Sequence, residues 1–278
     1  MTRFDSLYQD LVREVMEEGS VTKNQRTGHE VKALPAVSFS IDLLKDGFPL
    51  LSLRRIPLDL FIAEQVWFIS GEMQPKEFLE SFTSMWSPFT NDQGVVTAAY
   101  GHRWRKHFGR DQLEELVELL ERDPSSRQGV VMAWDPAIDG LEGPKQKNIP
   151  CPFAFTVNIL DGRLNLHNIM RANDLIVGLP YDVAGFALLQ CLLAQRLNVL
   201  PGIYTHSISY PEIYDIHYSV AEELLKRTST QERMHLSLPK DAFLRAERKD
   251  RALVREIACG LILQYQPNDT IPGIQVVL

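Results

Sequence analysis

Near the start of the chain, Phe4, Leu7, Tyr8, Leu11, Val12 and Val15 recur at helical spacing. They predict a helix that stops near Glu18-Gly19. A polar, turn-like NQRTGHE follows, and VSFSIDL then alternates with period two, as a half-buried strand does. Asp46-Gly47-Phe48-Pro49 reads as a turn. Pro57 to Ile69 reads as a helix, with Leu58, Phe61, Ile62, Gln65 and Phe68 on or near one face. Residues 76–83 read as a short helical stretch and residues 86–99 as a loop. QLEELVELLER, after Asp111, is an amphipathic helix with Leu113, Leu116, Val117 and Leu120 as its stripe.

GVVMAW reads as a buried strand and Asp139 to Asn148 as a surface loop. FAFTVNI and GRLNLHNIM read as two strands joined at Asp161-Gly162, a hairpin signal. After Pro180, YDVAGFALLQCLLAQRL is apolar over most of its circumference, which places a helix at the centre of a domain. GIYTHSIS predicts a strand and SVAEELLKRT a helix. With no linker, repeat or low-complexity tract between these elements, all 278 residues read as one mixed α/β domain.

Composition narrows the function classes. A 45% hydrophobic fraction is ample for a core. The 29 basic against 36 acidic residues leave a net charge of −7, which disfavours coating nucleic acid but leaves room for a small anionic ligand. Cys151, Cys191 and Cys259 match no zinc or paired redox spacing, so no metal is expected and a reducing, cytoplasmic setting fits. No apolar run has the length of a membrane span, and the opening residues are too polar for a signal peptide.

Cys151 stands in NIPCPFAF, where flanking prolines restrict the backbone just before a strand. It reads either as a buried structural cysteine or as a positioned nucleophile, which would need nearby positive charge. Cys191, mid-helix, and Cys259, in an apolar strand-like stretch, read as core. Arg26, Arg127 and Arg171 lie at the ends of ordered elements, where a guanidinium can grip a phosphate. Asp174 and Asp182 bracket LIVGLPY, in which Gly178 suggests a tight turn with the backbone close to a ligand. Glu64, in FIAEQVWF, is either a solvent-face charge or a buried acid of raised pKa.

Taken in order, NQRTG, EQVWFISG, YGHRWR, DPSSRQGVVMAW, PCPFAF, MRANDLIVGLPYDVAGFALLQCLLAQ, EIYDIHY and PGIQVVL resemble the thymidylate synthase family over essentially the whole chain. The resemblance implies a mixed β-sheet flanked by helices, with sheets packing across a homodimer. It implies that a cysteine adds to C6 of a pyrimidine nucleotide and that C5 takes a one-carbon unit from 5,10-methylenetetrahydrofolate. Cys151 matches the nucleophile. Glu64 matches the acid that organises proton transfers, Tyr100 the tyrosine of the proton-abstraction network, and Asp174 the aspartate beside pterin and pyrimidine. Arg26 and Arg171 match phosphate-binding arginines, and Arg127 one that reaches into the partner's site. Trp86 and Tyr181 match residues lining the folate side, where Gly178 is also expected, and Tyr214 matches the tyrosine that bonds the sugar.

Departures from the family pattern carry further expectations. Asp182 stands where thymidylate synthases have the asparagine that reads uracil, and resembles the cytosine selector of the cytidylate hydroxymethylase branch. Pro152 replaces the histidine after the cysteine, Gln128 a second cross-dimer arginine, and Ala172 a phosphate-contacting serine. Glu212 stands at the sugar-binding histidine, where a carboxylate can accept from both hydroxyls of a ribose. The reading that follows is a CMP 5-hydroxymethylase forming 5-hydroxymethyl-CMP and tetrahydrofolate. The alternatives are a dCMP 5-hydroxymethylase, a divergent thymidylate synthase and a non-catalytic nucleotide-binding protein. A modified-nucleoside antibiotic route and phage DNA modification are both open as its context.

Overall fold

The computed structural model describes residues 1–141 and 147–277. Helix α1 (Arg3–Glu18) opens the chain, closed at its N-terminus by a capping box in which Thr2 and Asp5 bond each other's backbone. The buried Asp5 carboxylate also accepts from the Ser52 amide (2.8 Å) and hydroxyl (2.6 Å), tying the helix start to the loop beneath it. There follow β1 (Ser20–Lys23), β2 (Glu30–Ala33), β3 (Val37–Asp42) and α2 (Leu58–Ser70). A short α3 (Tyr100–His102) runs on as a π-helical turn over Arg103–His107. Then come α4 (Gln112–Arg122), β4 (Val130–Met132), β5 (Pro152–Leu160), β6 (Arg163–Met170), β7 (Asn173–Asp174) and α5 (Leu179–Arg196). The chain closes with β8 (Leu200–Ile208), β9 (Pro211–Tyr214), α6 (Tyr218–Lys226), α7 (Ala242–Glu247) and α8 (Arg251–Ile262).

Two mixed sheets organise these elements, in the orders β1-β2-β9-β7 and β3-β8-β6-β5-β4. β6 pairs with β8, and β7 with β9, in parallel; the other pairs are antiparallel. The fold is therefore the mixed α/β arrangement expected. In the five-stranded sheet, Leu164, Leu166, Asn168 and Met170 of β6 point inward, and the residues that alternate with them face the other side. α5 lies across β6 and β8 and against α2, and is buried almost all round, as its sequence predicts. Phe186 from α5 meets Trp104 and Phe155 edge-on, at 6.0 and 6.1 Å between ring centroids. The opposite face of the sheet is polar, with Ser38–Ser207 and Ser40–Thr205 hydroxyl pairs at 2.9 Å. No helix among the described residues is long and apolar enough to cross a membrane.

The hairpin read at Asp161-Gly162 is present. Both residues have positive φ (51° and 71°), which suits the twist of the flanking strands. Other expectations are corrected. Cys259 lies in α8 and is exposed: Leu253, Val254, Ile257 and Leu261 form the buried helical stripe, and the cysteine falls off it. GVVMAW forms an edge strand whose outer residues, Val130 and Met132, are exposed. The stretch over 76–83 reduces to a single 3-10 turn, Leu79–Ser81. Of the loop over Asp139–Asn148, residues 142–146 lie outside the described residues, as does Leu278 of PGIQVVL. Asp139 itself is buried and accepts from the buried Arg103 at 3.0 Å, so that end of the loop is anchored inside.

Candidate active site

Cys151 sits immediately before β5, at a β-bulge where the β5–β6 register shifts between Pro152 and Ala154. The bulge turns the cysteine toward Arg171 at the far end of β6, whose amide bonds the Cys151 carbonyl at 2.9 Å. The Arg171 guanidinium donates to the carbonyls of Pro150 (2.9 Å) and Ile149 (3.0 Å), and its Nη2 also lies 3.5 Å from the Cys151 Sγ. The positive charge that a nucleophilic cysteine needs is therefore present. Burial nevertheless pushes the Cys151 thiol up, with Asp182 and Glu212 adding to the rise and Arg171 and Arg26 opposing it.

Around this thiol opens a cleft of about 580 Å³. Glu64 from α2, Trp86, Tyr100 from α3, Asp174 from β7, and Gly178, Tyr181 and Asp182 from the start of α5 line it. Arg26 from the β1–β2 loop, Arg171, and Glu212 and Tyr214 from β9 complete it. The structure thus gathers every site residue expected from the sequence except Arg127. That arginine is exposed on the turn between α4 and β4, beside Gln128 and away from its own chain's cleft.

The carboxyls share one electrostatic signature. Glu64 is buried and accepts from the Trp86 indole N–H at 2.5 Å; burial pushes it up to about 8 against that bond. Asp182 is pushed up to about 7 by burial, opposed by Asn173, whose Nδ2 donates to its Oδ2 at 2.7 Å. Glu212 is pushed up to about 7 by burial and by Asp174, and accepts from the Tyr214 hydroxyl at 3.3 Å. Asp174 is raised by burial although the Ile176 and Val177 amides bond it at 2.9 and 3.1 Å. Tyr100 is held well above its ordinary range by burial and by the neighbouring acids. Near neutral pH Glu64 therefore favours its protonated form, while Asp182 and Glu212 divide between a form that can donate and one that only accepts.

Glu64 gives the first testable consequence. Its carboxyl is raised in the fold above the ordinary 4.5, so burial favours the protonated form. The destabilisation is absent below about 4.5, grows as pH rises toward about 8, and is complete above it. At full ionisation it is on the order of 3–5 kcal/mol. Glu64→Gln keeps an oxygen for Trp86 and removes the titration. Its melting temperature should exceed the parent's by a margin that is small at pH 5 and largest at pH 8 and above. A margin independent of pH would refute this placement of the charge.

One wall of the cleft is aromatic and apolar. Trp86 meets Phe68 and Tyr100 edge-on at 5.8 and 5.4 Å and leans on Phe89 at 5.6 Å. Met85, Val177 and Tyr181 extend this wall, and the buried Arg54 lies 5.9 Å from the Tyr181 ring centroid and donates to the Ile176 carbonyl at 2.7 Å. A flat, partly apolar heterocycle such as a pterin fits such a wall. Gly178 falls in a turn that lines the cleft, as its sequence context suggests. Its φ is −76°, open to any residue. A Cβ there would come within 3.2 Å of both Asn173 Nδ2 and Asp182 Oδ2, so glycine leaves room for that hydrogen-bonded pair.

Sequence reasoning missed Asn173, Arg54 and the tail residues Val276 and Val277, which also line or flank the cleft. Asn173 lies inside RANDL beside an expected site residue, but only the fold shows that it bonds Asp182.

The family model described as thymidylate synthase matches residues 6–272. The cysteine, the arginine beside it and carboxyls of raised pKa share one cleft of this mixed-sheet fold. The chain belongs to the thymidylate synthase family, whose members use methylenetetrahydrofolate to modify C5 of pyrimidine nucleotides.

Proposed function

We propose that the protein is a CMP 5-hydroxymethylase. The observation that carries this reading is Asp182: a carboxyl raised to about 7, held by Asn173 and lining the same cleft as Cys151. Cytosine presents an amino donor at C4 and a basic ring nitrogen at N3. A protonated Asp182 accepts from the first and donates to the second. Uracil presents a weakly basic carbonyl at C4, which gains far less from a shared acidic proton.

The remaining residues take roles around that base. Cys151 attacks C6, and Asp182 stabilises the charge that this pushes toward N3. Arg171, with a guanidinium edge already fixed beside the thiol, and Arg26 at the cleft mouth hold the 5′-phosphate, and Tyr100 serves removal of the C5 proton. Arg127 joins this grip from the partner of a homodimer formed by the polar-faced sheets. Glu212, 8% exposed, and Tyr214 meet the sugar. A carboxyl there accepts from both hydroxyls of a ribose, and Ala172 leaves room beside them, which favours CMP over dCMP. The bound folate supplies a one-carbon unit, and Trp86, Tyr181 and Asp174 line its side of the cleft. Glu64 is poised to activate water, so that the product carries a hydroxymethyl group. The setting proposed is the cytoplasm.

The pH dependence tests the role of Asp182. The cytosine-reading form is protonated, so kcat/KM for CMP should be sustained below about 7 and fall above it, about tenfold per pH unit. The limb at about 7 should vanish in Asp182→Asn. A limb that persists there belongs to another group and refutes the assignment. Parallel kcat/KM values for CMP, dCMP and dUMP test the substrate, with CMP expected first; dUMP ahead of both cytosine nucleotides would overturn the reading.

A further inference from the structure

Arg26 is exposed and sits in a loop with little packing to hold it; every residue of β1, the strand that leads into the loop, is exposed. Its position rests on polar contacts. Asn24 organises the turn: its side-chain oxygen accepts from the Arg26 amide at 3.0 Å, its carbonyl from the Gly28 amide at 2.8 Å, and its own amide bonds the His29 carbonyl at 2.8 Å. These bonds set the shape of the loop, not its place over the cleft.

That place is set from outside. The His29 imidazole Nδ1 lies 2.8 Å from the Asp215 Oδ1. A carboxylate can only accept, so Nδ1 carries the proton. The other Asp215 oxygen accepts from the Glu30 amide at 3.3 Å. Asp215 directly follows Tyr214, and the register pairs Val31 with Tyr214 and Ala33 with Glu212. The His29 ring also stands edge-on to Tyr214, at 6.3 Å between centroids. At the other end of the loop, Thr22 Oγ1 and the Tyr210 hydroxyl are 2.9 Å apart. The Arg26 loop is thus tied at both ends to the segment that carries Glu212 and Tyr214.

We propose that His29 and Asp215 form a latch that fixes Arg26 over the phosphate end of the cleft. Both are positioning residues for the nucleotide, acting through Arg26 and not on the ligand. With the pair intact, the guanidinium is presented at a fixed distance from the strand that holds the sugar, and the entropy of ordering the loop is already spent before the nucleotide arrives. Without it, the β1–β2 and β2–β9 ladders still hold the base of the loop, but the turn that carries Arg26 loses its side-chain tie to Asp215. The inference rests on the reading that Arg26 grips a nucleotide phosphate.

A double-mutant cycle on the full-length protein tests it, with CMP and dCMP as calorimetric probes. Arg26→Ala should weaken binding roughly 10- to 100-fold, as loss of a charge-assisted phosphate contact does. His29→Ala should weaken it about tenfold in the parent and by less than about twofold in the Arg26→Ala background. His29→Gln, which keeps an N–H able to reach Asp215, should recover much of the loss. Asp215→Ala should reproduce the pattern from the other side of the pair, and covers the case in which His29→Ala fails to fold. Equal losses in both backgrounds would overturn the latch. Unchanged binding in Arg26→Ala would instead remove the phosphate reading beneath it, a separate and recognisable result.

Discussion

Replacing Cys151 by serine should abolish product formation, with a loss of at least roughly 10⁴-fold in kcat. The exchange is nearly isosteric, so Arg171 keeps its bonds to the Pro150 and Ile149 carbonyls and that end of the cleft is undisturbed. What is lost is the nucleophile. A hydroxyl is far harder to ionise than a thiol, and among the described residues no base is hydrogen-bonded to the Cys151 side chain: the side chain beside the Sγ is the Arg171 guanidinium, and Asp182 and Glu212 are held at raised pKa. Even the thiol is raised by burial and by Asp182 and Glu212, so Arg171 and Arg26 supply the charge against which a thiolate forms. Nucleotide affinity should stay within a few-fold of the parent. Turnover within about tenfold of the parent would show that no covalent step passes through residue 151.

Asp182→Asn should invert base preference, lowering kcat/KM for cytosine nucleotides and raising it for uracil nucleotides, with the ratio changing by at least roughly 100-fold. In the proposed role the parent carboxyl supplies an acidic proton to a basic ring nitrogen, and an amide cannot. The amide instead offers a donor to the uracil carbonyl and an acceptor to its N3–H at any pH. Asn173 stays in place and keeps donating to the oxygen nearest it, so the new side chain should not spin freely. Gly178 leaves the same room for an amide as for a carboxyl. An unchanged ratio in side-by-side kinetics would remove Asp182 as the base-reading residue.

The sequence made some of this fold legible for identifiable reasons. α4 has a four-residue apolar stripe and an Asp111 side chain that caps it through the Glu114 amide at 3.1 Å. α5 has too few polar residues to lie anywhere but inside. Short elements escaped. All four residues of β1 are exposed and all four of β9 are buried, so neither shows the alternation that marks a strand. α8 carried the right spacing at Leu253, Ile257 and Leu261, but the apolar run around Cys259 masked it. The candidate site divided in the same way. The spacing of motifs pointed to Cys151, Asp174 and Asp182, because they sit in contiguous segments. The bonds from Asn173 to Asp182 and from His29 to Asp215 join residues through tertiary structure, and no local pattern announces them.

The most direct measurement is the mass of the nucleotide formed when the protein is incubated with methylenetetrahydrofolate and, in turn, CMP, dCMP and dUMP. A hydroxymethyl group on CMP, with tetrahydrofolate as the other product, is the expected result. A methyl group on dUMP accompanied by dihydrofolate, with CMP unchanged, would contradict it.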